Sequence, residues 1–259
     1  MQHKTVNLYD YPRYYDLVFG SDWKAEFDFL RGAFNKFAAG QVRRVFEPAC
    51  GTGRLLFRLG AAGYDVSGLD LNPRAVEYCN KRLLRNGLGA GVFVGDMSDF
   101  RLSRKVDAAF NMINSFRHLL SEESARRHLQ CVAAALRRGG LYVLGLHLTP
   151  TEGTPMSEES WSARRGHLSI NTHLETFDLD LKRRAERCTM RMDIYTPKNA
   201  LAIVDELVFR TYTRTQLKSL LAAVPELQLA AVFDFSYNLD DPIEIEATTQ
   251  DVVLMLEKQ

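Results

Sequence analysis

The sequence predicts an α/β fold in which one mainly parallel sheet is covered by helices on both faces. Over residues 42–148, short apolar runs alternate five times with segments of helical periodicity. Right-handed crossovers between such strands place helices on both sides of the sheet. Ligands of these sheets bind outside the carboxyl ends of the strands. The polar residues at the strand ends are therefore the candidate functional residues.

The first strand of this region ends in a turn of small residues. Glu47 lies near its end, and the turn reads Ala49-Cys50-Gly51-Thr52-Gly53, followed by Arg54. Glycine lets a backbone approach a ligand closely, and the following helix start directs N–H groups at that ligand. A dinucleotide-binding G-x-G-x-x-G turn would need glycine at position 56, which is Leu56. The turn therefore disfavours an NAD-type oxidoreductase.

The second and third strands also end in acids. Residues 64–71 end in Asp70-Leu71, and Asp70 follows the turn at the spacing from which a carboxylate reaches ribose hydroxyls. The third strand is followed by Gly95-Asp96-Met97. Each acid has an ordinary alternative interpretation, as a surface residue before a turn. Their succession at fixed distances favours a nucleotide-like ligand.

Three polar residues follow the fourth strand, residues 106–110. Asn111 and Asn114 are candidate ligand contacts, although asparagine also closes local turns. His118 is the best candidate for a general base, because imidazole titrates near neutral pH. The alternative for His118 is a packing residue or a helix start, and both interpretations stay open.

Capping signals predict the helices between these strands. Asn72-Pro73 opens a helix whose inward residues are Ala75, Val76, Cys79 and Leu83. Ser121 caps a second helix, which we expect to run through Leu136 and end at Arg137-Arg138 before Gly139-Gly140. Residues 141–146 then form the fifth strand. An earlier helix is predicted from an apolar stripe of Phe27, Leu30, Phe34 and Phe37.

The composition and the pattern of apolar residues change after Pro150. Residues 151–166 are polar and predict a mobile connection, whereas residues 167–213 alternate as two or three antiparallel strands. A helix beginning at Thr213 and two closing strands, near 227–237 and 248–257, complete the chain. We expect a single domain, 1–259, with a core of 25–150 and 200–259 and a β-rich insertion at about 151–213.

Composition limits the classes of function. The 259 residues are 46% hydrophobic and 25% charged, with a formal net charge of +1, so no bulk charge favours nucleic acid. No apolar run is long enough to span a membrane, and residues 1–7 lack an apolar signal core. The four cysteines are isolated, which disfavours a metal site and suits a reducing cytoplasm.

Together these motifs resemble those of class I S-adenosylmethionine (SAM) dependent methyltransferases, and are similar to the small-molecule, aminosugar-type N-methyltransferases. The resemblance implies a seven-stranded, Rossmann-like sheet that closes with an antiparallel pair and carries the inserted strands as a lid. It implies SAM as the cofactor. Asp96 would bind the adenine amino group, and an N-terminal tyrosine would cover the cofactor. The implied cofactor-binding residues are Tyr14, Glu47, Ala49, Gly51, Gly53, Arg54, Asp70, Leu71, Asp96, Met97, Asn111 and Asn114.

The expected function is methyl transfer to a nitrogen or oxygen of a small molecule, in a pocket near Tyr14, Tyr15, Trp161 and His118. We expect no metal, no nucleic acid and no membrane, and a homodimer is compatible with the sequence. A protein or nucleic-acid methyltransferase is disfavoured, because no Asp/Asn-Pro-Pro-Tyr tetrapeptide follows strand four. A SAM-binding protein without catalysis remains open.

Overall fold

A computed structural model describes residues 2–5 and 7–259, without the side chains of residues 2–5. The expectation about a signal core at residues 1–7 therefore lies largely outside the described residues. The strands are β1 (Gln2–Thr5), β2 (Arg44–Pro48), β3 (Asp65–Asp70), β4 (Val92–Val94), β5 (Val106–Asn111), β6 (Leu136–His147), β7 (Glu158–Arg165), β8 (Leu168–Asp180), β9 (Ala185–Tyr195), β10 (Ala200–Arg210), β11 (Leu227–Phe233) and β12 (Asp251–Lys258).

The helices are α1 (Pro12–Gly20), α2 (Lys24–Phe37), α3 (Leu56–Ala61), α4 (Pro73–Arg85), α5 (Glu122–Ala135) and α6 (Arg214–Ala222). Two short 3₁₀ turns occur at Leu8–Asp10 and Ser115–His118. Within the described part of the chain, no helix combines the length and the apolar character that crossing a membrane requires.

A seven-stranded sheet has the order β11-β12-β6-β5-β2-β3-β4. Strands β2 to β6 pair in parallel, β12 is antiparallel to β6, and β11 is antiparallel to β12. The predicted parallel sheet with a closing antiparallel pair is confirmed. The carboxyl ends of β2, β3, β4 and β5 consequently meet along one edge, which brings the candidate residues together.

The core of this sheet lies on both of its faces. Successive residues of a strand point to opposite sides, so Phe46 of β2 packs with α5 and α6, whereas Val45 packs with α2, α3 and α4. Asn72 caps α4 by accepting from the backbone N–H groups of Arg74 and Ala75. The predicted inward stripe of α4 is buried.

The predicted stripe of α2 is only partly correct. Leu30 and Phe34 are buried, but Phe27 and Phe37 are half-buried, and Phe29 occupies the core instead.

The boundary between α5 and β6 was predicted wrongly. The helix ends at Ala135, and Leu136 already begins the strand by pairing with Val106. Arg137 therefore lies on the strand, where its Nε donates to Asp107 Oδ1 at 2.6 Å. Leu136 continues the helical apolar stripe and also fits a buried strand, so periodicity alone could not separate the two.

A second sheet of five strands has the order β1-β10-β9-β8-β7. Four of its strands are antiparallel neighbours, and β1 adds in parallel beside β10. The connection predicted over 151–166 is shorter than expected, because β7 occupies its second half, Glu158–Arg165. The sequence of β7 has few apolar residues, and only Ala163 of this strand is buried. An alternation of apolar and polar residues therefore could not reveal the strand.

Candidate functional site

The turn after β2 is held by the end of β3. Gly51 and Gly53 have φ values of 51° and 66°, in the left-handed region that favours glycine. The N–H of Gly51 donates to Asp70 Oδ2 at 2.7 Å, and the N–H of Asn72 donates to Asp70 Oδ1 at 2.8 Å. Ala49 also has a positive φ, of 54°. Asp70 therefore fixes the turn that the sequence singled out.

Burial is the largest influence on the Asp70 carboxyl and raises its pKa, whereas the two backbone N–H donors act in the opposite direction. Each carboxylate oxygen accepts more than one hydrogen bond. Asp70 can therefore bind hydroxyl donors of a ligand while it continues to hold the turn.

Two buried acceptor atoms beside this turn have no hydrogen-bond partner among the described residues. They are Glu47 Oε2 and Asn111 Oδ1, and both residues line a small pocket of about 30 Å³ at the turn. The Asn111 amide is oriented by its Nδ2, which donates to Pro48 O at 2.7 Å. Burial raises the pKa of Glu47 well above its ordinary value. Unpaired buried acceptors are unfavourable, so the pocket suits a ligand that supplies N–H or O–H donors.

Arg54 lines the same pocket, but its guanidinium is bound to Glu26 of α2. The two terminal nitrogens of Arg54, Nη1 and Nη2, both donate to that carboxylate, with Nη2 at 2.9 Å from Glu26 Oε1. The hydroxyl of Tyr237 also donates to Glu26 Oε1, at 3.0 Å. Both partners are buried. The structure therefore gives Arg54 a second task, the attachment of α2 to the turn, and adds Glu26 as a residue that the sequence analysis missed.

The other strand-end residues form a more open part of the site. Asp96 is exposed, and its Oδ1 accepts from the N–H and hydroxyl of Ser98 at 2.7 and 2.9 Å. Met97 is buried, with its carbonyl 2.8 Å from His128 Nδ1. Leu71 is 74% exposed, an unusual value for a large apolar side chain at a strand end.

Helix α1 brings an aromatic ring over the turn. Asp16 is buried, pairs with Arg82 of α4, and accepts from the Thr52 hydroxyl at 3.3 Å. The neighbouring Tyr15 lies beside Gly51, where an added Cβ would be 3.7 Å from its ring. Burial raises the pKa of Tyr15 to about 12, so its phenol stays protonated.

Tyr14, the tyrosine expected to cover the cofactor, has a different position. It stacks on Tyr11 with ring centroids 6.1 Å apart and does not line the small pocket at the turn. Tyr15 lines that pocket.

A cavity of about 810 Å³ lies between the two sheets and adjoins the turn pocket. Three residues line both spaces: Tyr15, Ile113 and Ser115. The expected pocket residues Trp161 and His118 line the cavity, whereas Tyr14 does not. Eight aromatic side chains are among its described wall residues: Tyr9, Tyr15, Phe19, Trp161, Phe177, Phe209, Phe235 and Tyr237.

His118 faces this cavity in a neutral form. Its Nε2 is 2.8 Å from the hydroxyl of Tyr9, which lies in the 3₁₀ turn Leu8–Asp10. Burial, with the nearby charge of Arg117, lowers the pKa of His118 to about 4. A group with this pKa is a weak base. The low pKa and the hydrogen bond with Tyr9 together favour the interpretation of His118 as a hydrogen-bonding residue of the cavity wall.

Asn114 also lines the cavity, with its side chain used by the fold. Its Oδ1 accepts from the N–H of His147 at 2.7 Å, and its φ is 52°. This supports the turn-forming interpretation of Asn114. Asn111, with its unpaired oxygen at the pocket, fits the ligand-contact interpretation.

The stability of the protein is expected to depend on pH through His128. Burial lowers the pKa of this histidine to about 4. The unfolded chain, with histidine near its ordinary pKa of about 6.5, binds more protons over this interval, so stability falls as pH falls from about 6.5 toward 4. We expect His128→Gln to flatten the pH dependence of the unfolding free energy by about 2 kcal/mol between about pH 7 and pH 5. Urea titrations at each pH measure this. The exposed His167→Gln is the control, and an unchanged slope in His128→Gln would contradict the expectation.

Comparison with known proteins agrees with this geometry. Residues 45–140 match a family model described as a methyltransferase domain. A dTDP-3-amino-3,4,6-trideoxy-alpha-D-glucopyranose N,N-dimethyltransferase of Streptomyces venezuelae is 30% identical over 138 residues, covering 52% of this chain and 56% of that protein. A dTDP-3-amino-3,6-dideoxy-alpha-D-glucopyranose N,N-dimethyltransferase of Streptomyces fradiae is 28% identical over 144 residues, covering 54% of each. The chain spans about half the length of these curated relatives.

Solved structures match over nearly the whole chain. A SAM-dependent methyltransferase of Clostridium acetobutylicum has a TM-score of 0.79 at 16% identity and covers 97% of this chain and 99% of that one. DesVI of Streptomyces venezuelae has a TM-score of 0.75 at 20% identity with the same coverage. The sugar N-methyltransferase KedS8 of a Streptoalloteichus species has a TM-score of 0.74 at 18% identity, covering 96% and 93%. The predicted fold is confirmed.

Proposed function

We propose that this chain, a class I SAM-dependent methyltransferase by family match and fold, transfers a methyl group from SAM to an amine nitrogen of a small molecule. One observation carries the proposal. The acceptors of Glu47 and Asn111 that have no partner among the described residues lie at a glycine turn, whose pocket adjoins, past Tyr15, a cavity of about 810 Å³ lined in part by aromatic rings. The first space suits the cofactor and the second suits an acceptor.

The residues present fit SAM. Glu47 and Asn111 offer acceptors for the ammonium of its methionine part, and Asp70 offers a carboxylate for ribose hydroxyls. Asp96, the Met97 N–H and the exposed side chain of Leu71 would bind the adenine. When bound, SAM supplies a methyl group already activated on a sulfonium.

The protein's part in the reaction is mainly to position the acceptor and exclude water. Tyr15, Ile113 and Ser115 line both spaces, so the acceptor nitrogen would meet the methyl group beside them. A neutral amine needs no further activation. A phenol would need a base, and the low pKa of His118 makes that residue a poor one. This favours nitrogen over oxygen, and the relatives named as N,N-dimethyltransferases support the same choice.

We also propose that the second sheet, with residues 151–213, acts as the wall and lid of the acceptor site. Its inner face packs with Leu8, Leu17 and Val18, and the N–H of Leu8 donates to Asp205 on β10 at 2.8 Å. The N-terminal segment and the insertion therefore pack against each other beside the cavity. A cavity of about 810 Å³ between the two sheets has the size of a small-molecule site, which supports a small acceptor over a nucleic acid or protein. The four cysteines are free, which supports a reducing cytoplasm.

Calorimetry with SAM and S-adenosylhomocysteine tests the cofactor. Asp70→Ala removes the acceptor for ribose hydroxyls and for the Gly51 N–H, so we expect SAM binding to weaken by about 1–3 kcal/mol. Asp65→Ala, an exposed acid at the other end of β3, is the matched control and should bind SAM normally. Tight binding of NADH without binding of SAM would overturn the proposed function.

A further inference from the structure

The acceptor cavity is acidic. Five carboxylates line it, belonging to Asp22, Glu158, Glu159, Asp178 and Glu186. Among the described residues of its wall, Arg117 is the one lysine or arginine. The cavity therefore carries a negative charge, although the whole chain has a formal net charge of +1.

The single arginine is already engaged. Arg117 pairs with Glu186, its Nε donates to Arg210 O at 3.0 Å, and its guanidinium lies 5.1 Å from the centre of the Phe209 ring. His118 is neutral because its pKa is about 4, and His147 is hydrogen-bonded to Asp251. The one guanidinium among the described wall residues is thus already paired with a carboxylate.

The acids are more available than the bases. Asp22, Glu158 and Glu159 are exposed, and Glu159 and Asp22 form no ion pair with any described side chain. Asp178 is 3.8 Å from Arg187, a pair that is half exposed. Rings of Phe19, Trp161 and Phe177 stand in the same wall. Carboxylates together with aromatic faces attract ammonium groups and repel anions.

We propose that the acceptor is a small polyamine or aminated sugar that carries at least one further ammonium group and no phosphate. The inference rests on the proposed function and departs from the curated relatives, whose names specify dTDP-linked aminosugars. A nucleoside diphosphate would bring two or more negative charges toward Asp22, Glu158 and Glu159, and the only lysine or arginine among the described wall residues is Arg117, which pairs with Glu186.

The position of the acids is compatible with the chemistry. A neutral nitrogen forms the N–C bond as the methyl C–S bond breaks, the electron pair goes to sulfur, and the methylated ammonium then releases a proton to water. The five acids do not line the turn pocket, and the reacting nitrogen would lie where the cavity meets that pocket, beside Tyr15, Ile113 and Ser115. They belong to β7, β8, β9 and the connection between α1 and α2. They would hold the second ammonium group and leave the reacting nitrogen free to lose its proton.

The first test compares two sets of acceptors with labelled SAM. One set is phosphate-free, with spermidine and methyl glycosides of diaminosugars, and the other contains dTDP-linked aminosugars. We expect kcat/KM to be at least about tenfold higher for the best phosphate-free amine, with a KM that rises with salt because the attraction is screened. Transfer that favours the dTDP-linked set would overturn this inference alone. Failure to bind SAM would instead contradict the proposed function.

The second test uses the double variant Glu158→Gln and Glu159→Gln. Because both charges are exposed, we expect the KM of the best amine to rise about twofold to tenfold with kcat nearly unchanged. Glu226→Gln, an exposed acid outside the cavity wall, is the matched control and should behave as the parent protein does. An unchanged or lower KM in the double variant would overturn the inference.

Discussion

Replacing Glu26 by glutamine is expected to lower the free energy of unfolding by about 3–5 kcal/mol, because it leaves the Arg54 charge buried without its partner. The side chains of Glu26 and Arg54 are 4% and 10% exposed and share a bidentate contact. The pair joins α2 to the turn after β2, so SAM affinity should fall together with stability. Urea unfolding measured with the protein alone separates the two effects.

The exposed pair of Glu77 and Lys81 on α4 supplies the control. Its side chains are 64% and 61% exposed, and Glu77→Gln should leave the free energy of unfolding nearly unchanged, because water screens an exposed ion pair. Adding Arg54→Met to Glu26→Gln should recover part of the loss, because the unpaired buried charge is then gone. Equal stability of Glu26→Gln and Glu77→Gln would refute the structural task assigned to this pair.

The sequence predicted the parallel sheet well because each of its strands ends in a distinctive residue. Glu47, Asp70 and Asn111 are recognisable at the ends of three strands that are neighbours in the sheet, and parallel topology then brings them to one edge. The glycine turn was recognisable for the same reason, since its spacing from Asp70 carries information that composition does not.

Other parts of the site could not be predicted from local pattern. Tyr14 and Tyr15 are neighbours on a helix, where adjacent residues point about 100° apart, and only contacts made by Asp16 decide which ring lies over the turn. Glu26 did leave a signal, because it is four residues before Leu30 on the buried face of α2. An acid at such a position predicts a buried partner.

The charge of the acceptor cavity could likewise not be predicted from the sequence. Its acids are contributed by segments distant in sequence, such as Asp22 before α2, Glu159 on β7 and Asp178 on β8. The overall charge of +1 gives no indication of their convergence. The four-stranded insertion had to be placed against the N-terminal segment before these residues shared a wall.

Gly53→Ala is expected to lower the free energy of unfolding by about 2–5 kcal/mol, the sum of left-handed backbone strain and overpacking. The φ of Gly53 is 66°, and an added Cβ would overlap the sulfur of Cys79 on α4. Relief of this overlap must rotate the buried Cys79 side chain or move the turn that carries Gly51. SAM affinity should therefore fall as well, and calorimetry beside urea unfolding measures both.

Gly87 separates the two causes. Its φ is 72°, yet an added Cβ there meets nothing within 4 Å, so Gly87→Ala should show the strain alone, about 1–2 kcal/mol. The double variant Gly53→Ala with Cys79→Ala should be more stable than the two separate losses predict, because the added methyl fills space that the sulfur vacates. If Gly53→Ala loses no more stability than Gly87→Ala, close packing of the turn on α4 is not what requires glycine there. SAM binding by Gly53→Ala with normal affinity would further show that this turn is not part of the cofactor site.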